Sequence, residues 1–246
     1  LDKVKADHYH ILDGLFATQQ HPIYNEVANA FVEIEWILEE EAQDSYDYLF
    51  DQIVSLGEML SSRILAAYTA ELGMPTKWLD ARDYIFTDNT YREARVDWAK
   101  TEDKIRRDLP ILLDRHVLIT QGFVCSTSEN FTTTLGREGS DYSAAIFASC
   151  LNAEHITIWK DVPGVLNADP KWFDHTELIP ELSYTDAIEL TYYGATVIHP
   201  KTIKPLQNKK ITLNVRSFLN PTAAGTVIKS TNQGLPVPSF IFKVNQ

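Results

Sequence analysis

The sequence is short of cysteine and of positive charge. Only two cysteines, Cys125 and Cys150, occur in 246 residues. Neither sits in a C-x-x-C pair, so no disulfide framework is written into the chain, and a reduced, cytoplasmic setting is expected. Lysine and arginine number 22 against 34 aspartates and glutamates, a formal net charge of −12. That balance argues against nucleic-acid backbones and anionic membrane surfaces as partners. It leaves room for a small anion held by a local basic loop. No apolar run reaches the ~20 residues a membrane helix needs. The opening LDKVKADHYH lacks the apolar core of a secretory signal, so the sequon at Asn130-Phe131-Thr132 carries no weight. No G-x-G-x-x-G follows a strand, which sets aside a dinucleotide dehydrogenase. Internal repeats and low-complexity tracts are absent as well.

What is present is a globular composition, 44% hydrophobic, enough to bury the core of one large α/β domain or two small ones. Apolar spacing predicts helices over 1–16 and 25–43. The acidic cluster of the second (Glu33, Glu35, Glu39, Glu40, Glu41) reads as a solvated face, because carboxylates without histidine partners or fixed spacing make a poor metal site. A third helix, capped by Asp44 or Ser45, carries Tyr46, Leu49, Phe50, Ile53, Leu60, Ile64 and Tyr68 as a core-facing stripe. Gly57 interrupts it at a cost of ~1 kcal/mol, which calls for the close approach of another helix or of a ligand near Glu58. Lys77–Asp80 begins a strand-like piece. Residues 82–103 are polar and without period, and 104–113 form a short helix that Pro110 kinks or ends.

Residues 116–124 read as the best buried strand, 155–160 as a second, and 132–152 joins them as a loop and a helix. Strand, loop, helix and strand at this spacing predict a βαβ unit in a parallel sheet. Ligands of such sheets bind beyond the carboxyl ends of the strands, which would put the loops after Val124 and Trp159 on one rim. Further helices are expected at 183–193 and 200–209 and a strand at 211–216. Residues 230–238 have linker composition, and 239–244 read as a further strand.

The stretch TTTLGREGSDYSAAIFASCLN, Thr132–Asn152, organises the chain. The turn Gly136-Arg137-Glu138-Gly139 leads into a helix opening at Ser140-Asp141. Glycines admit close approach of a ligand, and a helix start offers free N–H groups and a positive dipole end to an anion. Arg137 can hold a carboxylate at two points. The same residues also make an ordinary glycine turn with Arg137 in a surface ion pair, and chemistry alone leaves both open.

Beyond this loop, the segments LGREGSDYSAA, IWKDVPGVLNADP, ELSYTDAIEL-TYYGATVIHPKT and NPTAAGTVI, with SLGEMLSSRI upstream, resemble in order and spacing the catalytic domain of the aspartokinases. Lys160 and Leu166 resemble the plant-type branch. The resemblance covers nearly the whole chain. It implies the amino-acid-kinase fold, a three-layer α/β/α sandwich on a mainly parallel sheet. It further implies transfer of the γ-phosphoryl group of ATP to the side-chain carboxylate of L-aspartate, giving 4-phospho-L-aspartate for lysine, threonine and methionine synthesis. Such a reaction asks the protein mainly for positioning and charge neutralisation. By position, Glu58 would pair with the substrate ammonium, while Arg137, Glu138, Gly139 and Ser140 would hold the amino acid. Asp141, with Arg137, would serve catalysis by orienting the phosphoryl group rather than as a general base, since the attacking carboxylate is already ionised. Lys160, Asp161, Leu166, Lys171, Thr196 and Val197 would line the ATP site. Magnesium would arrive with the nucleotide rather than on a protein-built metal site. A homodimer and an amino-acid effector acting through C-terminal ACT domains are family expectations.

Three departures stand out. Glu138 replaces a family glycine and would have to point away from the ligand. Thr196 replaces the lysine of Gly-Ala-Lys-Val, for which Lys160 or Lys201 would compensate. The family's opening Lys-Phe-Gly-Gly strand lies outside the sequence, so residues 1–229 are expected to be a partial catalytic domain, incomplete at its N-terminus and of little activity alone. Residues 230–246 would then be a linker and the start of a regulatory region. His199, beside Pro200, is expected to be structural, and Asp169, before Pro170, is either a turn cap or a nucleotide contact. Two alternatives remain: a kinase of another small acid such as glutamate or acetylglutamate, of which Glu58 argues against the acetylated one because only a free ammonium needs a counter-charge, and a catalytically silent scaffold.

Overall fold

The computed structural model describes residues 1–39, 45–192 and 197–231. Helices α1 (Asp2–Leu15), α2 (Ile23–Glu39) and α3 (Tyr46–Glu71) come first. Ser45 caps α3, its hydroxyl accepting from the Tyr48 N–H at 3.3 Å, as its residue type suggests. The three helices share a core of Leu12, Phe16, Val27, Phe31, Leu60 and Ile64. The expected stripe on α3 is half right. Leu60 and Ile64 are buried, but Tyr46 and Phe50 are exposed, beneath the Arg92 guanidinium, which lies 4.8 Å from the Phe50 ring. The face that turns inward at that end carries Asp51 and Ser55 instead. On α2, Glu33 and Glu39 are exposed, as a solvated face requires, and Glu40 and Glu41 lie outside the described residues.

Strand β1 (Thr76–Trp78) pairs in parallel with β2 (Val117–Ile119). Between them, α4 (Trp98–Leu113) begins well before the expected position. Asp97 caps it by accepting from the Lys100 N–H at 3.1 Å, and the pairs Lys104–Asp108 and Arg106–Glu102 at i,i+4 support its exposed face. Pro110 sits inside the helix without ending it.

The single strand expected over 116–124 is broken. After β2 the chain bends through Gln121, Gly122 and Phe123 before β3 (Val124–Ser126), which pairs antiparallel with β4 (Thr132–Thr134). The physical cause is lateral capture. Gln121 donates to Ser62 Oγ and the Leu79 carbonyl and accepts from the Ala81 N–H at 2.7 Å. Phe123 has φ +49°, and the Val124 N–H reaches back to the Gly122 carbonyl. A bulky residue held at positive φ is a strained one.

Helix α5 (Gly139–Leu151) leads to β5 (His155–Lys160), then come β6 (Glu181–Ser183), α6 (Tyr184–Tyr192), α7 (Pro200–Lys209), β7 (Thr212–Ser217) and β8 (Thr226–Lys229). The sheet order is β5-β7-β8-β6. The β5/β7 and β6/β8 pairs are parallel and β7/β8 is antiparallel. The parallel neighbour of β5 is therefore β7, and the expected βαβ pairing across α5 is not the one formed. His199 caps α7 through its Nδ1, which accepts from the Lys201 N–H at 3.1 Å, the structural role its place before Pro200 suggested. The core here joins Ala145, Ile158, Leu182, Leu206, Leu213, Val215 and Ile228. The chain divides into two compact units, Leu1–Gly139 and Ser140–Gln246. The strand expected at 239–244 and the linker at 230–238 lie, beyond Thr231, outside the described residues. Among the described residues no helix is long and apolar enough to cross a membrane.

Candidate active site

In the first unit the candidate residues hang on α3 and on the turn after β4. Glu58 is half-buried, and its Oε1 accepts from the Gly122 N–H at 3.2 Å. A Cβ at Gly57 would meet no atom within 4 Å. The close helix approach that the glycine suggested is therefore absent among the described residues. The turn itself is closed by the Gly139 N–H donating to the Gly136 carbonyl at 3.0 Å, with Arg137 exposed at its tip. Gly136 has φ +73°, and a Cβ there would lie 2.6 Å from the Arg92 carbonyl oxygen; no other residue fits. Glu138 occupies φ +55°, the left-handed conformation that the family glycine would adopt without strain.

Two residues that the sequence reading passed over underlie this arrangement. Asp51 is fully buried and accepts from the Arg92 N–H at 2.8 Å, the Thr134 N–H at 3.0 Å and the Thr134 hydroxyl at 2.8 Å. Burial pushes its carboxyl above the ordinary range, against the opposing pull of these donors. Gln121 is the second, buried with both ends of its amide satisfied. A signal was available: Asp51, Ser55, Glu58 and Ser62 recur at helical spacing and so share one face of α3. Cys125 is buried, which pushes its thiol far up and leaves it no nucleophilic role.

In the second unit the start of α5 and the end of β5 come together. Lys160 Nζ lies 2.7 Å from Asp141 Oδ2, with both side chains largely buried. Asp141 stands in the first turn of α5, where the dipole favours an anion. Ser140 beside it is exposed, as is Asp161. The segment after β5 is pinned by Thr226, whose hydroxyl accepts from the Val165 N–H at 2.9 Å and donates to the Ile179 carbonyl at 2.7 Å. Leu166 bridges to Leu178. Asp169 caps a turn, accepting from the N–H of exposed Lys171 at 2.9 Å. Val197 borders a core cavity of about 10 Å³, too small for a ligand. Thr196 lies outside the described residues. No group of three His, Cys, Asp or Glu side chains able to hold a metal occurs among the described residues.

Residues 5–217 match the amino acid kinase family, and the chain belongs to that family, with its mixed α/β fold and mainly parallel sheet. Among sequences, it is 33% identical over 232 residues to the bifunctional aspartokinase/homoserine dehydrogenase 2, chloroplastic, of Arabidopsis thaliana, covering 93% of this chain and 25% of that protein. Among solved structures, it is similar to Escherichia coli aspartokinase III in complex with aspartate and ADP in the R-state. The TM-score is 0.87 at 32% identity, covering 94% of this chain and 52% of that one. The same enzyme in complex with lysine and aspartate in the T-state superposes with a TM-score of 0.84, at the same identity and coverage. The chain thus spans about a fifth to about half of the length of the curated relatives it matches.

Proposed function

We propose that the chain is the catalytic part of an aspartokinase that transfers the γ-phosphoryl group of ATP to the side-chain carboxylate of L-aspartate. The observation that carries this reading is the likeness over nearly the whole chain to an aspartokinase holding aspartate and ADP. The residue chemistry agrees with it. Glu58 supplies the counter-charge to the substrate ammonium. Arg137 at the tip of its closed turn, with the backbone of Glu138 and Gly139 and the hydroxyl of Ser140, holds the carboxylates. Asp141 orients the transferring group, held in place by Lys160. Lys160, Asp161, Leu166 and Lys171, with Thr196 and Val197 through their backbone, take the nucleotide. Magnesium comes with the nucleotide, held mostly by phosphate and water.

Wider roles follow from the same reading: a cytoplasmic enzyme of lysine, threonine and methionine synthesis, dimeric, with residues 1–229 catalytic. Residues 230–246 would then lead into ACT domains that bind an amino-acid effector. The test is hydroxylamine trapping of acyl phosphate by the full-length protein with ATP and magnesium. L-Aspartate, L-glutamate and N-acetylglutamate would be offered in parallel. Hydroxamate from aspartate alone is expected. Product from N-acetylglutamate instead would reassign the acceptor and remove the role given to Glu58.

A further inference from the structure

We infer that Asp51 is a positioning residue for the amino-acid site, setting the Arg137 turn relative to Glu58 through the end of β4. This rests on the acceptor roles proposed for Glu58 and Arg137.

Asp51 is a carboxylate with no exposed surface, and its three hydrogen-bond donors are all neutral. Burying an anion is costly unless its lone pairs are satisfied, and a threonine hydroxyl and two backbone N–H groups satisfy them only if the chain is held in one place. What is held is the approach to the turn. Thr134 gives Asp51 both its N–H and its hydroxyl, while its carbonyl accepts from the Ala94 N–H at 2.9 Å. Leu135 donates to the Phe123 carbonyl at 3.0 Å. Gly136 packs on the Arg92 carbonyl, and the Arg92 N–H is itself bound to Asp51. The three residues before Arg137 are thereby each fixed.

Seven residues along α3 from Asp51, on the same face, Glu58 accepts from the Gly122 N–H. Gly122 adjoins Phe123, the partner of Leu135. Hydrogen bonds and covalent links thus run in a closed circuit from Asp51 through Thr134, Leu135, Phe123 and Gly122 to Glu58, and α3 completes it. One helix face carries a residue for the ammonium and fixes the loop that carries the carboxylate fork.

The test is steady-state kinetics of the full-length protein with Asp51→Asn, Thr134→Val and Thr134→Ser beside the wild type. An amide at 51 offers one acceptor oxygen and turns a donor toward donors, so KM for L-aspartate should rise by about tenfold or more, with KM for ATP near the wild-type value. Thr134→Val keeps the shape, loses the hydroxyl and should shift KM for aspartate in the same direction by less. Thr134→Ser should restore it. Equal changes in both KM values, or a fall in melting temperature without any kinetic change, overturns the inference. If Asp51→Asn does not fold, the Thr134→Val and Thr134→Ser pair decides by the same criteria. A wild type that makes no aspartyl hydroxamate overturns the acceptor reading itself, a result distinct from an active wild type with unaltered variants.

Discussion

Lys160 Nζ stands 2.7 Å from Asp141 Oδ2, joining the last residue of β5 to the first turn of α5. The lysine is thus engaged with a carboxylate assigned to the reaction, in addition to lying on the segment assigned to the nucleotide. Lys160→Met should leave Asp141 without this cation. A drop in kcat/KM for ATP of more than tenfold, or about 1.4 kcal/mol of transition-state stabilisation, is the expected result. Unchanged kinetics would mean that the pair only ties α5 to the sheet.

Glu58 and Arg137 are assigned the opposite charges of the acceptor, its ammonium and its carboxylates. Arg137→Ala should raise KM for aspartate strongly, because a bidentate fork to a carboxylate is lost. Glu58→Gln should weaken aspartate binding more than ATP binding. Equal losses for the two substrates in Glu58→Gln would indicate damage to its Gly122 anchor instead, and titration calorimetry of each ligand separates these outcomes.

Two glycines should respond to alanine in opposite directions. At Gly136 a methyl group would sit 2.6 Å from the Arg92 carbonyl oxygen in a left-handed backbone. Gly136→Ala should therefore destabilise by about 2 kcal/mol or more and impair the Arg137 turn. At Gly57 a methyl group meets nothing, so Gly57→Ala should stabilise by about 1 kcal/mol through helix propensity. Thermal melts of the two variants check both signs.

Local signals in the sequence were enough where a residue answers to its chain neighbours. Ser45 caps α3, Pro200 follows the cap of α7, and β5 forms over the expected residues 155–160. They failed where distant partners decide. The run 116–124 has strand propensity throughout, yet Gln121 is drawn to Ser62, Leu79 and Ala81 from well upstream, and the strand breaks there. Tyr46 and Phe50 fit an apolar stripe, but Asp51 takes the buried face because Thr134 and Arg92 supply its donors. Strands β6 and β8 are too short to stand out, and only their pairing in the sheet defines them. The candidate site was legible as motifs, whereas the brace beneath it was not, since its contacts span up to 83 positions of chain.

Asp51 also gives the fold a pH signature. Burial holds its carboxyl above the ordinary 3.8, so the folded chain keeps this proton more tightly than the unfolded one. The stabilisation is present in full below 3.8 and is lost as pH rises through the folded-state value. Asp51→Asn does not titrate. Its stability deficit against the wild type should therefore be largest in acid and shrink as pH rises through that window, as urea melts across a pH series would show. A deficit that grows with pH would mean the donors outweigh burial.

The central claim is phosphorylation of the aspartate side chain, and the nature of the acyl phosphate tests it most directly. The full-length protein would be incubated with ATP, magnesium and L-aspartate, the mixture reduced with borohydride, and the amino alcohol identified by mass spectrometry and chromatography. Reduction of a side-chain acyl phosphate gives homoserine, and that is the expected product. Reduction at the α-carboxyl would give 3-amino-4-hydroxybutanoate. That product, or no amino alcohol at all, would contradict the account.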